Sequence, residues 1–262
     1  MTSAGGKWHD LSQRLISGGI VSVVGLYLMW LGGVPFHLLV SVVAGVLVWE
    51  VARMIGAGTL ALSLGGLASL ALLLLVNLPA GYALPFVFAP VLIGIAQLER
   101  HRLTYALFTS AILFAGYGLI FLRDDHGFVW MAWLALCVIA SDILGYFAGR
   151  LIGGPKFWPR VSPKKTWAGT VAGWVGAAGV GLAYVIDGRA SGEIIGVSVA
   201  IAIAGQLGDV AESALKRRFD VKDSSNILPG HGGLFDRFDS MLGAALFLLL
   251  ISQIINFPFG IS

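Results

Sequence analysis

The sequence predicts an all-α, polytopic integral membrane protein, and three observations carry the prediction. Hydrophobic residues make up 57% of the 262 and charged residues 12%, against about 25% charged in soluble domains. Mean hydropathy is +0.87. Apolar runs of roughly 20 residues, the length that crosses a hydrocarbon core, recur along the chain. Lipid offers no partner to backbone N–H and C=O groups, and the runs lack the alternation of a barrel strand, so helices are expected.

The runs place about nine spans in a single membrane domain, 1–262, near 15–33, 36–54, 59–77, 81–98, 104–122, 127–148, 167–186, 193–212 and 240–257. The first follows "MTSAGGKWHDLSQR" with no small-residue cleavage site behind it, so it is expected to be retained. Pro, Gly and charged residues mark later breaks: "GGVPF" after the first span, "NLPAGYALP" after the third, "LERHR" after the fourth and "RDDHG" after the fifth. Trp30, Trp49, Tyr82, Tyr105 and Trp130 fall near span ends, where amphipathic rings sit at the interface. The pairs Gly145/Gly149, Gly169/Gly173 and Gly192/Gly196 are expected to let helices approach closely.

Charge segregates across these spans. With the N-terminus in the cytoplasm, all 17 Lys and Arg face inward except Arg123 and Arg189. The two long polar connections, 149–166 and 213–239, then lie on the cytoplasmic side of the cytoplasmic (inner) membrane. The isoelectric point of about 9.1 follows from this bias, and no nucleic-acid partner is expected. The single cysteine, Cys137, lies in an apolar run and can make no intramolecular disulfide.

The stretch "SALKRRFDVKDSSNILPGHGGLFDRFDS", 213–240, gathers charge of both signs at the edge of this apolar chain. An ionised side chain at a span centre costs roughly 2.5–3.5 kcal/mol on insertion scales, so acids within spans need a partner or a task. Glu50 is expected to pair with Arg53. Asp142, beside Ser141, has no basic neighbour in sequence and points to function. Asp209, Glu212, Ser213 and Lys216 fall at i, i+3, i+4 and i+7, one helix face, and Asp236 and Asp239 open the last helix. If the two helix ends meet, Asp209, Asp236 and Asp239 converge as oxygen ligands that suit Mg²⁺; the alternative is that each Asp pairs with Arg217, Arg218 or Arg237. Lys164, Lys165 and Thr166 of "SPKKTW", with Lys216, Arg217 and Lys222, read either as topological charge or as a polyphosphate clamp. "KKT" is not a P-loop, since the preceding glycine pattern is absent. "PGHGG" supplies backbone able to approach a ligand closely, or simply a turn.

Taken whole, the stretch resembles the signature of the CDP-diacylglycerol synthase (phosphatidate cytidylyltransferase) family: Ser213, Lys216-Arg217, Lys222-Asp223, Ser225, Leu228-Pro229, His231-Gly232-Gly233, Asp236-Arg237 and Asp239. "SDILGYFAGRLIG" with "PRVSPKKTWAG", and "QLGDVAES", are similar to the same family, so the matched region covers about 141–240. Ala168 departs from it, standing where the family has Glu. The resemblance implies a Mg²⁺-dependent nucleotidyltransferase that joins phosphatidate to CTP, with a second metal ion allowed, a site at the lipid surface, and a homodimer. It points to Asp209 and Asp236 as metal ligands, with Lys216, Arg217, Lys222 and His231 as further catalytic groups. Asp142, Lys164, Lys165, Thr166, Glu212, Ser213, Asp223, Gly232, Gly233, Arg237 and Asp239 would contact substrate. For His231, holding phosphate, protonating pyrophosphate and a structural hydrogen bond all stay open.

Two other readings are weighed. A related CTP-dependent polyprenol or phytol kinase would lack the complete signature. A cation- or proton-coupled transporter would carry polar residues through the full membrane depth, whereas here charge gathers on one face.

Overall fold

The computed structural model describes residues 19, 22–78, 80–228, 232–255 and 257. Eight helices follow in order: α1 (Ser22–Leu31), α2 (Gly33–Met54), α3 (Leu60–Asn77), α4 (Ala80–Gln97), α5 (Arg102–Leu151), α6 (Trp167–Ile186), α7 (Glu193–Arg218) and α8 (Phe235–Ile251). Among the described residues, five of them (α2, α3, α5, α6 and α7) are long and apolar enough to cross a membrane. The all-α membrane class therefore stands at that level.

Helix α5 consists of two helices in series that meet in a kink at Gly127, between the spans expected near 104–122 and 127–148. There φ is +82°, a conformation glycine adopts without steric cost. The break ends the "RDDHG" sequence. One departure is a small antiparallel hairpin between α5 and α6, β1 (Lys156–Trp158) and β2 (Ser162–Thr166), pairing Lys156 with Thr166 and Trp158 with Ser162. The hairpin runs directly into α6. Thr166 caps that helix, its hydroxyl accepting from Gly169 N at 3.2 Å, which satisfies one of the otherwise unpaired first-turn donors.

The chain forms two compact units. The first comprises Met1–Leu113 and Phe219–Arg237, the second Phe114–Arg218 and Phe238–Ser262. In the first, α2 and α3 cross backbone on backbone: a Cβ at Gly45 would lie 2.7 Å from the Gly65 carbonyl oxygen, and the reverse distance is the same.

In the second unit, α5 and α6 cross at Gly145 and Gly169, where a Cβ on Gly169 would lie 2.5 Å from the Gly145 carbonyl oxygen. Gly173 leaves room for Ser141 and Gln206, each 2.6 Å from where its Cβ would be. Two of the three expected glycine pairs thus sit at close crossings. Gly192 and Gly196 face open space, so the third pair does not. The core of this unit is pinned by a buried indole, Trp133 Nε1 donating to Ser198 Oγ at 2.9 Å, which in turn donates to the Ile194 carbonyl at 2.8 Å.

Candidate active site

In the second unit the polar stripe of α7 meets the start of α8. Side chains at Gly208 and Gly243 would strike the Asp239 and Ala204 carbonyls respectively, so only glycine lets these helices come this close. As a result Asp209, Glu212 and Asp239 bring one carboxylate oxygen each within 4.8 Å of one another. Like charges so placed repel unless a cation joins them.

Two lysines answer part of that charge. Lys165 Nζ lies 2.6 Å from Asp209 Oδ2, and Lys216 Nζ lies 2.6 Å from Glu212 Oε2. The arginines considered as partners for Asp209 are not the ones used. Ser213 Oγ donates to Asp209 Oδ1 at 3.2 Å, and Lys165 also donates to the Gln206 carbonyl at 3.3 Å. The two lysines answer Asp209 and Glu212, and Asp239 Oδ1 accepts from Ser240 N at 2.7 Å. The donor set is all oxygen and suits a hard divalent cation such as Mg²⁺.

Lys165 arrives from β2, so the hairpin is what carries the lysine pair to α7. Beside it opens a cavity of about 500 Å³, lined among others by Asp142, Arg150, Lys164, Lys165, Gln206 and Asp209. Thr166 and Ser141 also line it. Gln206 joins the walls: Trp174 Nε1 donates to its Oε1 at 2.9 Å, and its Nε2 donates to Thr170 O at 3.2 Å and Ser141 Oγ at 3.3 Å. The cavity thus has cationic and anionic groups among its lining residues.

The remaining signature residues lie in the first unit. Leu228 and Gly232 pair as an antiparallel bridge, the Leu228 N–H donating to the Gly232 carbonyl at 3.0 Å. Gly232 has φ +83°, another position that favours glycine. Asp236 Oδ2 accepts from Ser224 N, Ser224 Oγ and Gly233 N, each at 2.9 Å. Lys222, Asp223 and Arg237 are exposed, as is Arg217 in the other unit. His231 lies outside the described residues.

Of the convergence expected at the helix ends, the described cluster therefore contains Asp209 and Asp239 and adds Glu212. Asp236 belongs to the first unit, held by backbone and hydroxyl donors. Glu50 corrects the expectation made for it. Its carboxylate is fully buried and accepts from Ser225 Oγ, Leu234 N and Phe235 N, with Ser224 Oγ 3.2 Å from Oε2, while Arg53 lies over the Trp49 ring, 5.4 Å from its centroid. Sequence reasoning gave no role to Ser224, Ser225 or Gln206. Gln206 was signalled as the first residue of "QLGDVAES" and as an amide one helical turn before Asp209 in an apolar span.

Comparison with known proteins adds an independent finding. Residues 12–255 match the model of a family described as the cytidylyltransferase family. A Bacillus subtilis protein named phosphatidate cytidylyltransferase is 32% identical over 264 residues, covering 92% of this chain and 97% of its own. One of the same name from Brucella abortus is 33% identical over 258 residues, covering 95% and 96%. A Staphylococcus aureus protein, also so named, is 35% identical over 160 residues, covering 58% of this chain and 62% of its own.

Proposed function

Because this chain belongs to the cytidylyltransferase family, we propose that it transfers the CMP group of CTP to phosphatidate, giving CDP-diacylglycerol and pyrophosphate. The observation that carries the reading is the cationic and carboxylate cluster around Lys165 and Asp209, beside a cavity at the ends of apolar helices. One substrate is anchored in lipid and the other is a soluble polyanion, so a site for both belongs at a membrane edge.

The nucleophile is the phosphate monoester of phosphatidate. A phosphate monoester has a second pKa near ~6, so it is largely deprotonated at neutral pH and no strong general base is needed. A phosphate oxygen attacks the α-phosphorus of CTP, and the bond to the β-phosphate breaks. The obstacle is anion meeting anion, which makes positioning and electrostatic stabilisation the protein's main contributions. Lys164, Lys165 and Arg150, around the cavity, neutralise phosphate charge. Lys216, Arg217, Lys222 and Arg237 add positive charge along the signature, and Asp142, Asp223, Ser213 and Thr166 contact substrate. His231 retains the roles left open by the sequence.

The oxygen donors fit Mg²⁺. Asp209 would hold it, with Glu212 and Asp239 beside it, and the family signature adds Asp236 as a further ligand; the ion would supply positive charge against the phosphates. Lys165 and Lys216 each pair with one carboxylate of that cluster. A homodimer in the cytoplasmic membrane completes the proposal.

The reading is tested by the nucleotide product. Purified protein given phosphatidate, CTP and Mg²⁺ releases pyrophosphate; release of CDP instead would make the protein a lipid kinase. Orientation is tested separately. Reporter fusions are expected to place the N-terminus and both polar connections in the cytoplasm and the C-terminus outside. A cytoplasmic C-terminus would contradict the odd span count and its charge segregation.

A further inference from the structure

Glu50 is a carboxylate with no exposed surface, near the C-terminal end of α2 and far in sequence from every signature motif. A buried carboxylate is costly unless strong donors surround it. Its three donors, Ser225 Oγ, Leu234 N and Phe235 N, and the Ser224 hydroxyl beside it all come from one short stretch, 224–235. Leu234 N and Phe235 N, at 2.9 and 2.7 Å, stand at the start of α8, whose first N–H groups have no partner within the helix and favour a negative charge. Ser225 Oγ donates to Oε1 and Ser224 Oγ lies 3.2 Å from Oε2.

The same stretch is tied to Asp236. Ser224 offers both its N–H and its hydroxyl to Asp236 Oδ2, and Gly233 N donates to the same oxygen. Glu50 and Asp236 thus hold Ser224 from two sides. Gly233 sits between them with no space for a side chain: a Cβ there would strike Ser224 Oγ and lie 2.5 Å from Glu50 Oε1. A side chain at Gly233 would therefore disturb the contacts to both carboxylates.

We propose that Glu50 is a positioning residue for the signature segment: its buried carboxylate gathers Ser224, Ser225 and the first N–H groups of α8, and so fixes Asp236 for the reaction. The catalytic part of this inference rests on the cytidylyltransfer reading; the latch itself does not. Glu50 touches no substrate and acts through Ser224 and the start of α8.

The test compares wild type with Glu50→Gln, Glu50→Asp and Ser225→Ala in detergent, by amide hydrogen exchange and by kinetics. Glu50→Gln keeps the size but places an amide NH₂ among donors. It is expected to speed exchange about tenfold or more in peptides covering 224–236, a local opening rather than global unfolding, while peptides from 60–77 keep their protection. In the assay, kcat per folded protein falls and the Mg²⁺ concentration for half-maximal rate rises, shifts that a mere loss of folded protein would not produce. Glu50→Asp restores part of both. Ser225→Ala removes one donor, leaves the carboxylate, and shows the same local pattern more weakly; it keeps the test open where Glu50→Gln does not accumulate. Unchanged exchange in 224–236, or equal loosening of every peptide, would overturn the proposal. If exchange responds as expected but wild type makes no CDP-diacylglycerol, the latch stands and the functional reading falls.

Discussion

Asp209→Asn is expected to lower CMP transfer by about a thousandfold or more, with the protein still accumulating in membranes at nearly the wild-type level. The magnitude separates two accounts of this carboxylate. As half of an ion pair with Lys165, whose side chains are 24% and 28% exposed, it would contribute ~1 kcal/mol or less, about fivefold if expressed wholly in rate. As a metal ligand it supports stabilisation of several kcal/mol, and about 4 kcal/mol corresponds to roughly a thousandfold. The amide keeps the shape, so the charge is what is removed. Asp236→Asn is expected to show a loss of the same order, because an asparagine oxygen can still accept from Ser224 and Gly233 while the negative charge is gone. Variants that retain a fifth or more of the wild-type rate at saturating Mg²⁺ would exclude the metal role.

Chelation is expected to have the other large effect. With divalent ions removed, the rate with phosphatidate and CTP falls to background, and added Mg²⁺ restores it. The physical reason lies in the charge count around α7: Asp209, Glu212 and Asp239 outnumber Lys165 and Lys216. Both lysines are already engaged by carboxylates at 2.6 Å. A divalent cation among these carboxylates would add positive charge beside Lys164 and Arg150, which line the same cavity. Full turnover in the presence of EDTA would mean that the lysines and arginines suffice, and the carboxylates would then have only a structural role.

Much of this could be read from residue order because membrane insertion is a local property. Apolar length marked the helices, and "RDDHG" marked the place where α5 breaks at Gly127. The stripe Asp209, Glu212, Lys216 was legible because helical spacing alone puts those residues on one face. The hairpin was not. Its strands of three and five residues are too short for a period-two pattern, and their pairing depends on the chain turning back at Pro159 and Arg160.

Glu50 was misread for a related reason. Arg53 is three residues away and of opposite charge, so local logic paired them and made Glu50→Gln an expected near-neutral change. Its actual donors are 174 to 185 residues distant, a separation that spacing cannot reveal. The glycines follow the same division: Gly145 and Gly169 announce a close crossing by their pattern, but which neighbour each one meets is decided by packing. Gly192 and Gly196 carry the same pattern and meet nothing.

The most direct test of cytidylyl transfer follows the phosphorus atoms. Purified protein is given phosphatidate, Mg²⁺ and CTP labelled separately at the α- and the γ-phosphate. The predicted result is α-label in the lipid product, one for one with γ-label in pyrophosphate, with neither transfer in Asp209→Asn. Lipid carrying the γ-label, with the α-label left in CDP, would contradict the account.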